Sequence, residues 1–206
     1  MRKRRNGDDD EIFFEYGVHL PTRTLYLGSA VYDDDGSEGG VDFSMAEKAI
    51  KGLHLLEVAA PTGDKPIIIL MNNPGGDVDH GMAIYDSIAA CKNHVTIKVR
   101  GNAMSMGGYI LQAANKRIMS PNSNFMFHIG YDGYGRNHPK VIRQWIKFNE
   151  AEGKKLDKIL LDKINAKRDK DNKAHMSKGH FDKLNDFDQI LTAAETVEWG
   201  LADKIE

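Results

Sequence analysis

Ser105 stands where a predicted buried strand ends and a predicted helix begins, in surroundings that suit a nucleophile. The neighbouring residues Gly101, Ala103, Gly107 and Gly108 are small, so a tight turn there can expose the serine hydroxyl. The backbone N–H groups at the start of the following helix would face a developing oxyanion. Serine at such a junction is more often a simple helix N-cap, and the local sequence leaves both roles open.

Gly75-Gly76 lies at the matching junction after the preceding predicted strand, and His128 ends a later apolar strand. Two consecutive glycines let backbone amides approach a ligand closely, although the pair also suits an ordinary loop and fits neither nucleotide fingerprint. A histidine that faces a cleft from a strand end can act as a general base, whereas a lone histidine there is more often structural.

The spacing of the candidate metal ligands does not favour a metal site. His175 and His180 are five residues apart in a basic segment, which is poor spacing for a helical zinc pair. The acidic stretch 33–40 has Gly36 at the wrong offset for a calcium loop. Cys91 is the single cysteine of the sequence, so no disulfide framework or cysteine cluster is predicted. We expect neither a metal nor another cofactor.

Composition excludes several classes of protein. The chain has 206 residues, a hydrophobic fraction of 41% and a net charge of -2, which predicts one domain without the basic excess of a nucleic-acid-binding protein. No apolar run approaches the roughly 20 residues that span a bilayer. Basic residues 2–5 precede acidic residues 8–11, which fits neither a signal nor a transit peptide. We expect a soluble, cytoplasmic protein that binds neither nucleic acid nor membrane, with a partly disordered segment at 1–23.

Apolar runs, glycine turns and helical periodicity place the candidate residues in an α/β fold. Two units of strand, turn and helix, at 67–91 and at 94–114 with its turn at 101–105, predict parallel strands. The other predicted elements are strands at 24–31, 118–119 and 125–127, a helix at 45–59, a long amphipathic helix from about 139 to 167, an exposed loop at 167–173, and a helix that Thr192 and Glu195 cap and Gly200 ends.

Four segments, in the same order, resemble the ClpP family, the proteolytic subunits of Clp ATP-dependent proteases. The likeness covers about residues 25–205. The similar segments are 73–86 to S-P-G-G-x-V-x-x-G-x-A-I-Y-D, 101–108 to G-x-A-A-S-M-G-A, 121–128 to P-N-S-x-x-M-I-H, and 188–203 to D-R-F-L-S-A-P-E…E-Y-G-L-V-D. Each match alone is modest evidence, and their shared order makes the resemblance strong.

The resemblance implies a fold and an assembly. The fold is a ClpP/crotonase-like superhelix of repeated ββα units, in a single peptidase domain over 24–206 from which a handle helix at about 139–167 protrudes. The assembly is a homo-oligomer of stacked heptameric rings that encloses the active sites. Its implied substrates are unfolded polypeptides, which a separate AAA+ unfoldase ATPase would deliver.

The resemblance also implies a serine endopeptidase with a catalytic triad. Ser105 is then the nucleophile, His128 the base and Asp188 the acid that orients the histidine. The backbone N–H groups of Gly76 and Met106 would form the oxyanion hole.

The sequence departs from the family pattern in several places. These departures are Asn73 for serine, Met104 for alanine, Ile129-Gly130 for Gln-Pro, a lengthened charged segment around 165–180, and an N-terminus without the usual axial-loop sequence. Because the lengthened segment precedes Asp188, Asp182 and Asp186 are alternative candidates for the triad acid.

Three other functions share parts of this pattern. A catalytically silent scaffold subunit of such a ring would not need Ser105, His128 and Asp188 together. A crotonase-type acyl-CoA enzyme would share the superhelix and an oxyanion hole from two glycine turns, without the serine–histidine pair. A phage-type head-maturation peptidase would have the same chemistry and a capsid protein as its substrate.

Overall fold

The computed structural model describes residues 6–28, 39–130, 133, 135 and 137–206, with side chains described from residue 9 onward. Within these ranges the helices are α1 (Asn6–Tyr16), α2 (Phe43–Val58), α3 (Val78–Ala89), α4 (Met106–Gln112), α5 (Pro139–Lys170), α6 (Lys178–Asn185) and α7 (Ala193–Glu198). The strands are β1 (Val18–His19), β2 (Thr24–Gly28), β3 (Ile67–Asn73), β4 (Val95–Met104), β5 (Lys116–Met119), β6 (Asn124–Phe127), β7 (Gln189–Thr192) and β8 (Lys204–Ile205).

A single sheet in the order β1-β2-β3-β4-β5-β8 forms the centre of the molecule. The strands from β2 to β8 along this path are parallel, and β1 joins β2 in antiparallel orientation. Helices connect the parallel strands, as crossover connections require. The predicted α/β fold is therefore confirmed.

Strand β4 is long enough to pair with two strands along one edge. Its first half, Thr96 to Val99, pairs with β5, and its last three residues, Asn102 to Met104, pair with β6. β7 then pairs with β6 in antiparallel orientation and extends this second part of the sheet. The end of β4, which leads directly into Ser105, is thereby joined to the strands that carry the other candidate residues.

The hydrophobic core lies between the sheet and the helices. In β3 the buried residues alternate with half-buried ones, so Ile67, Ile69 and Met71 face the core and Ile68 and Leu70 form the other face. The apolar run at 67–71 predicts a buried strand, and in the single chain one of its faces is fully buried and the other half-buried. The strand and its parallel pairing are as predicted.

The ends of two predicted elements were wrong. The turn predicted at 101–105 is part of β4 up to Met104, because Gly101 adopts a φ of 143° within the strand and Asn102 N–H bonds to the Asn72 side chain. The loop predicted at 167–173 begins later, because α5 continues to Lys170. There the Lys167 ammonium group contacts the Asp171 carboxylate one turn further on.

Two helices and three strands had no counterpart among the predicted elements. The helices are α1, which lies inside the segment expected to be partly disordered, and α6, and the strands are β1, β7 and β8. The predicted capping box of α7 is present, because Thr192 and Glu195 exchange side-chain-to-backbone hydrogen bonds. The end of the strand predicted at 24–31 and most of the acidic stretch 33–40 lie outside the described residues.

Helix α6 fastens the charged segment around 165–180 to the body of the protein. Its Phe181 is fully buried and stacks on Phe127 of β6, with ring centroids 5.5 Å apart and planes 5° from parallel. Asn165 of α5 bonds to both the N–H and the carbonyl group of Met176, at 2.7 and 3.2 Å. The segment therefore packs against the strand that leads to His128.

None of the helices in the described part of the chain is both long and apolar enough to cross a membrane.

Candidate active site

Ser105 occupies the N-cap position of α4 in a strained backbone conformation. Its φ is 48° and its ψ is -124°, values that cost a non-glycine residue about 1–3 kcal/mol. Its side chain makes no capping hydrogen bond to α4. The ordinary N-cap role that the sequence left open therefore does not explain this serine.

The Ser105 hydroxyl instead contacts His128. Its Oγ lies 2.9 Å from His128 Nε2, which is hydrogen-bonding distance. Strand β6 brings the histidine there, because β6 runs parallel to β4 and the Ser105 N–H bonds to the Met126 carbonyl at 2.8 Å. Two predicted site residues that are 23 positions apart in sequence thus meet at the ends of neighbouring strands.

Asp188 lies on the other side of the imidazole. Because β7 is antiparallel to β6, with Gln189 opposite Phe127, the residue before β7 falls beside His128. Asp188 Oδ1 is 3.4 Å from His128 Nδ1, and the aspartate side chain is 59% exposed in the single chain. The alternative acid Asp182 contacts Lys178 within α6, and Asp186 is the C-terminal cap of the same helix.

The Gly75-Gly76 turn packs directly against Ser105. A Cβ atom placed on Gly75 would lie 2.5 Å from Ser105 Cβ and 3.1 Å from the backbone nitrogen of Met106. Gly75 and Gly76 have φ values of 107° and 138°, which side chains of L-residues rarely permit. The two glycine turns predicted at separate junctions therefore meet at one place, with no room between them for a side chain.

The N–H groups of Gly76 and Met106 lie in these two turns. Among the described residues, neither group donates a hydrogen bond to another part of the protein. The Gly75 carbonyl accepts from Val41 N–H at 2.6 Å, and in a trans peptide the Gly76 N–H points the opposite way. Both N–H groups can therefore donate to an atom outside the chain.

The contacts of Ser105, His128 and Asp188 suit an acyl-transfer reaction. An imidazole that contacts a serine hydroxyl through one nitrogen and a carboxylate near the other can accept the serine proton during attack on a carbonyl. Within the described residues, no three histidine, cysteine, aspartate or glutamate side chains are grouped as ligands for a metal ion.

Comparisons with known proteins identify the family of this chain. The sequence model of the Clp protease family matches residues 37–206. The chain is 31% identical over 204 residues to the ATP-dependent Clp protease proteolytic subunit 3 of Parasynechococcus marenigrum, and the aligned region covers 95% of this chain and 86% of the relative. It is 30% identical over 206 residues to the ATP-dependent Clp protease proteolytic subunit 2 of Treponema denticola, and that region covers 99% of this chain and 90% of the relative. The chain therefore belongs to the Clp protease family and is a protease.

Proposed function

We propose that this protein is a serine endopeptidase that hydrolyses unfolded polypeptides with a triad of Ser105, His128 and Asp188. The observation that carries the proposal is the 2.9 Å contact between Ser105 Oγ and His128 Nε2, made by a serine whose backbone is strained and whose side chain makes no capping hydrogen bond. The 3.4 Å approach of Asp188 to the second imidazole nitrogen supports the acid role.

Each proposed group has one task in the reaction. His128 Nε2 accepts the Ser105 proton as Oγ attacks the peptide carbonyl carbon, and Asp188 holds the Nδ1 proton and stabilises the imidazolium ion. The N–H groups of Gly76 and Met106 stabilise the negative oxygen of the tetrahedral intermediate. His128 then donates its proton to the departing amine, and water releases the acyl group from Ser105 by the same steps.

We propose that the protein works as a homo-oligomer of stacked heptameric rings. Helix α5 has 32 residues, about 48 Å at the rise of an α-helix, and its fully buried residues, Leu160 and Ile164, lie in its C-terminal half. The N-terminal half exposes apolar side chains, which are Val141, Trp145, Ile146 and Phe148. An apolar helix face of this kind is typical of a protein–protein contact.

The proposed ring assembly would need a separate protein to deliver unfolded polypeptides to its active sites. Active sites inside a ring chamber would exclude folded proteins by size, and the relatives are named as subunits of ATP-dependent proteases. The sequence contains no nucleotide-binding fingerprint. A separate AAA+ unfoldase would therefore unfold and deliver the polypeptide.

The triad is tested by covalent labelling with a fluorophosphonate probe. We expect the probe to modify Ser105, and Asp188→Ala to slow both labelling and peptide hydrolysis by roughly 10³- to 10⁴-fold, because the imidazole loses the carboxylate that orients it. Asp186→Ala is the matched control, two residues away at the end of α6, and its rates should stay within about threefold of the parent. Labelling of another residue, or an equal loss in the Asp186 variant, would contradict the assignment.

Trp145→Glu should weaken the assembly without unfolding the subunit. Trp145 is 50% exposed and packs edge-on against Phe148, so a charge there disrupts an apolar contact surface and leaves the core intact. Gln144→Glu adds the same charge at the adjacent exposed position and should leave the assembly unchanged. Light scattering after size-exclusion chromatography gives the mass of each variant. Equal masses for all three proteins would remove this helix face as the contact.

A further inference from the structure

Asn73 is the last residue of β3, and its polar side chain is fully buried. Its Oδ1 accepts a hydrogen bond from Gly75 N–H at 2.8 Å, which closes a turn around Pro74. Its Nδ2 donates to the Sδ atom of Met45 on α2 at 3.3 Å. The amide is therefore held at both ends, by the glycine turn and by a helix of the core.

These contacts fix one residue of the glycine turn on both sides. The Asn73 amide oxygen accepts a hydrogen bond from Gly75 N–H, and the Gly75 carbonyl oxygen accepts one from Val41 N–H at 2.6 Å. Because the peptide that follows is planar and trans, the direction of the Gly76 N–H depends on how Gly75 is held. Without the Asn73 bond, Gly75 would lose its restraint on the N–H side, and the turn would be held only beyond that point, where Val41 accepts from Asp77 N–H at 2.8 Å and donates to the Gly75 carbonyl.

We propose that Asn73 is a positioning residue for the oxyanion site. Its Oδ1 holds Gly75 so that the Gly76 N–H points at the carbonyl oxygen of the bond that Ser105 attacks. This inference rests on the proposed function. Donors of this kind stabilise the transition state only when their direction is set in advance, so loosening the turn should lower kcat and leave substrate affinity nearly unchanged.

The experiment compares Asn73→Ala and Asn73→Ser with the parent protein. A serine hydroxyl can accept from the same N–H two residues on, so Asn73→Ser should retain at least a third of the parent kcat. We expect Asn73→Ala to lower kcat about 10- to 100-fold with KM within threefold, and to weaken binding of a peptide boronate by a similar factor. Asn93→Ala is the matched control, since Asn93 is also buried and its Nδ2 bonds to the carbonyls of Ala60 and Lys65.

The control separates positioning from lost stability. Asn93→Ala should lower the midpoint of thermal unfolding and leave kcat and boronate affinity at parent values. A parent-like kcat in Asn73→Ala, or a kcat loss in Asn93→Ala that matches it, would overturn the inference and leave the proposed function standing. Should Asn73→Ala fail to fold, an Asn73→Ser variant with kcat reduced more than 10-fold would overturn it. Absence of Ser105-dependent hydrolysis in the parent protein would remove the proposed function and this inference together.

Discussion

Ser105→Ala is expected to lower kcat for a fluorogenic peptide by roughly 10⁴- to 10⁶-fold, because the reaction loses its nucleophile while the two donors remain. The side chain caps no helix, and alanine meets the same backbone strain as serine, so the free energy of unfolding should change little. Stopped assays on purified protein and a urea titration give both quantities. Turnover near the parent rate would show that Ser105 is not the nucleophile.

Ser105→Gly provides the matched comparison for the backbone. Glycine adopts a φ of 48° without steric cost, so this variant should be as inactive as the alanine variant and more stable than it by about 1 kcal/mol. The alanine and glycine variants together separate two properties of residue 105, since its hydroxyl determines activity and its φ angle determines backbone strain. A glycine variant less stable than the alanine variant would contradict the strain argument.

Gly75→Ala is expected to lower kcat at least 100-fold, a loss of the size seen when an oxyanion donor is removed. The added Cβ would lie 2.5 Å from Ser105 Cβ and 2.9 Å from the Met104 carbonyl oxygen, so the turn must move away from the nucleophile. The φ of 107° adds backbone strain of about 1–3 kcal/mol. Steady-state kinetics and urea unfolding measure the two effects.

Gly179→Ala controls for the change of residue type. Gly179 lies in α6 with open space where its Cβ would be, and alanine favours a helix by about 1 kcal/mol over glycine. This variant should keep parent activity and be equally or more stable. Parent-like activity in Gly75→Ala would show that the glycine turn takes no part in catalysis.

Sequence reasoning found most of the parallel sheet and three residues that the structure brings together. An apolar run such as 67–71 predicts a strand, because a buried position restricts the residue types allowed there. A pair of glycines predicts a turn, because few other residues adopt a positive φ. The contact of Ser105 with His128 depends on the parallel pairing of β4 and β6, which no local pattern specifies. The grouping of Ser105 with His128 came from the resemblance of four motifs, in the same order, to those of a family, because hydrophobic periodicity does not show which strands pair.

Only some of the elements that sequence reasoning missed have weak local signals. β7 is four residues long, and its Ile190 is exposed, so apolar alternation gives no clear strand pattern. Helix α1 has the acidic residues Asp8 to Glu11 near its N-terminus, where they favour a helix through its dipole, and that signal was available. The turn that Asn73 closes was also predictable, since asparagine two residues before glycine is typical of a turn that a side chain closes.

The stacking of Phe181 on Phe127 makes the strand that leads to His128 depend on helix α6 for its packing. Surface segments usually tolerate deletion, because they contribute little to the core. Here α6 supplies a core ring that covers the residue next to His128. Deletion of α6 would leave Phe127 facing water or a void, so a shortened variant of this protein should lose stability at the strand that holds the histidine as well as at the surface.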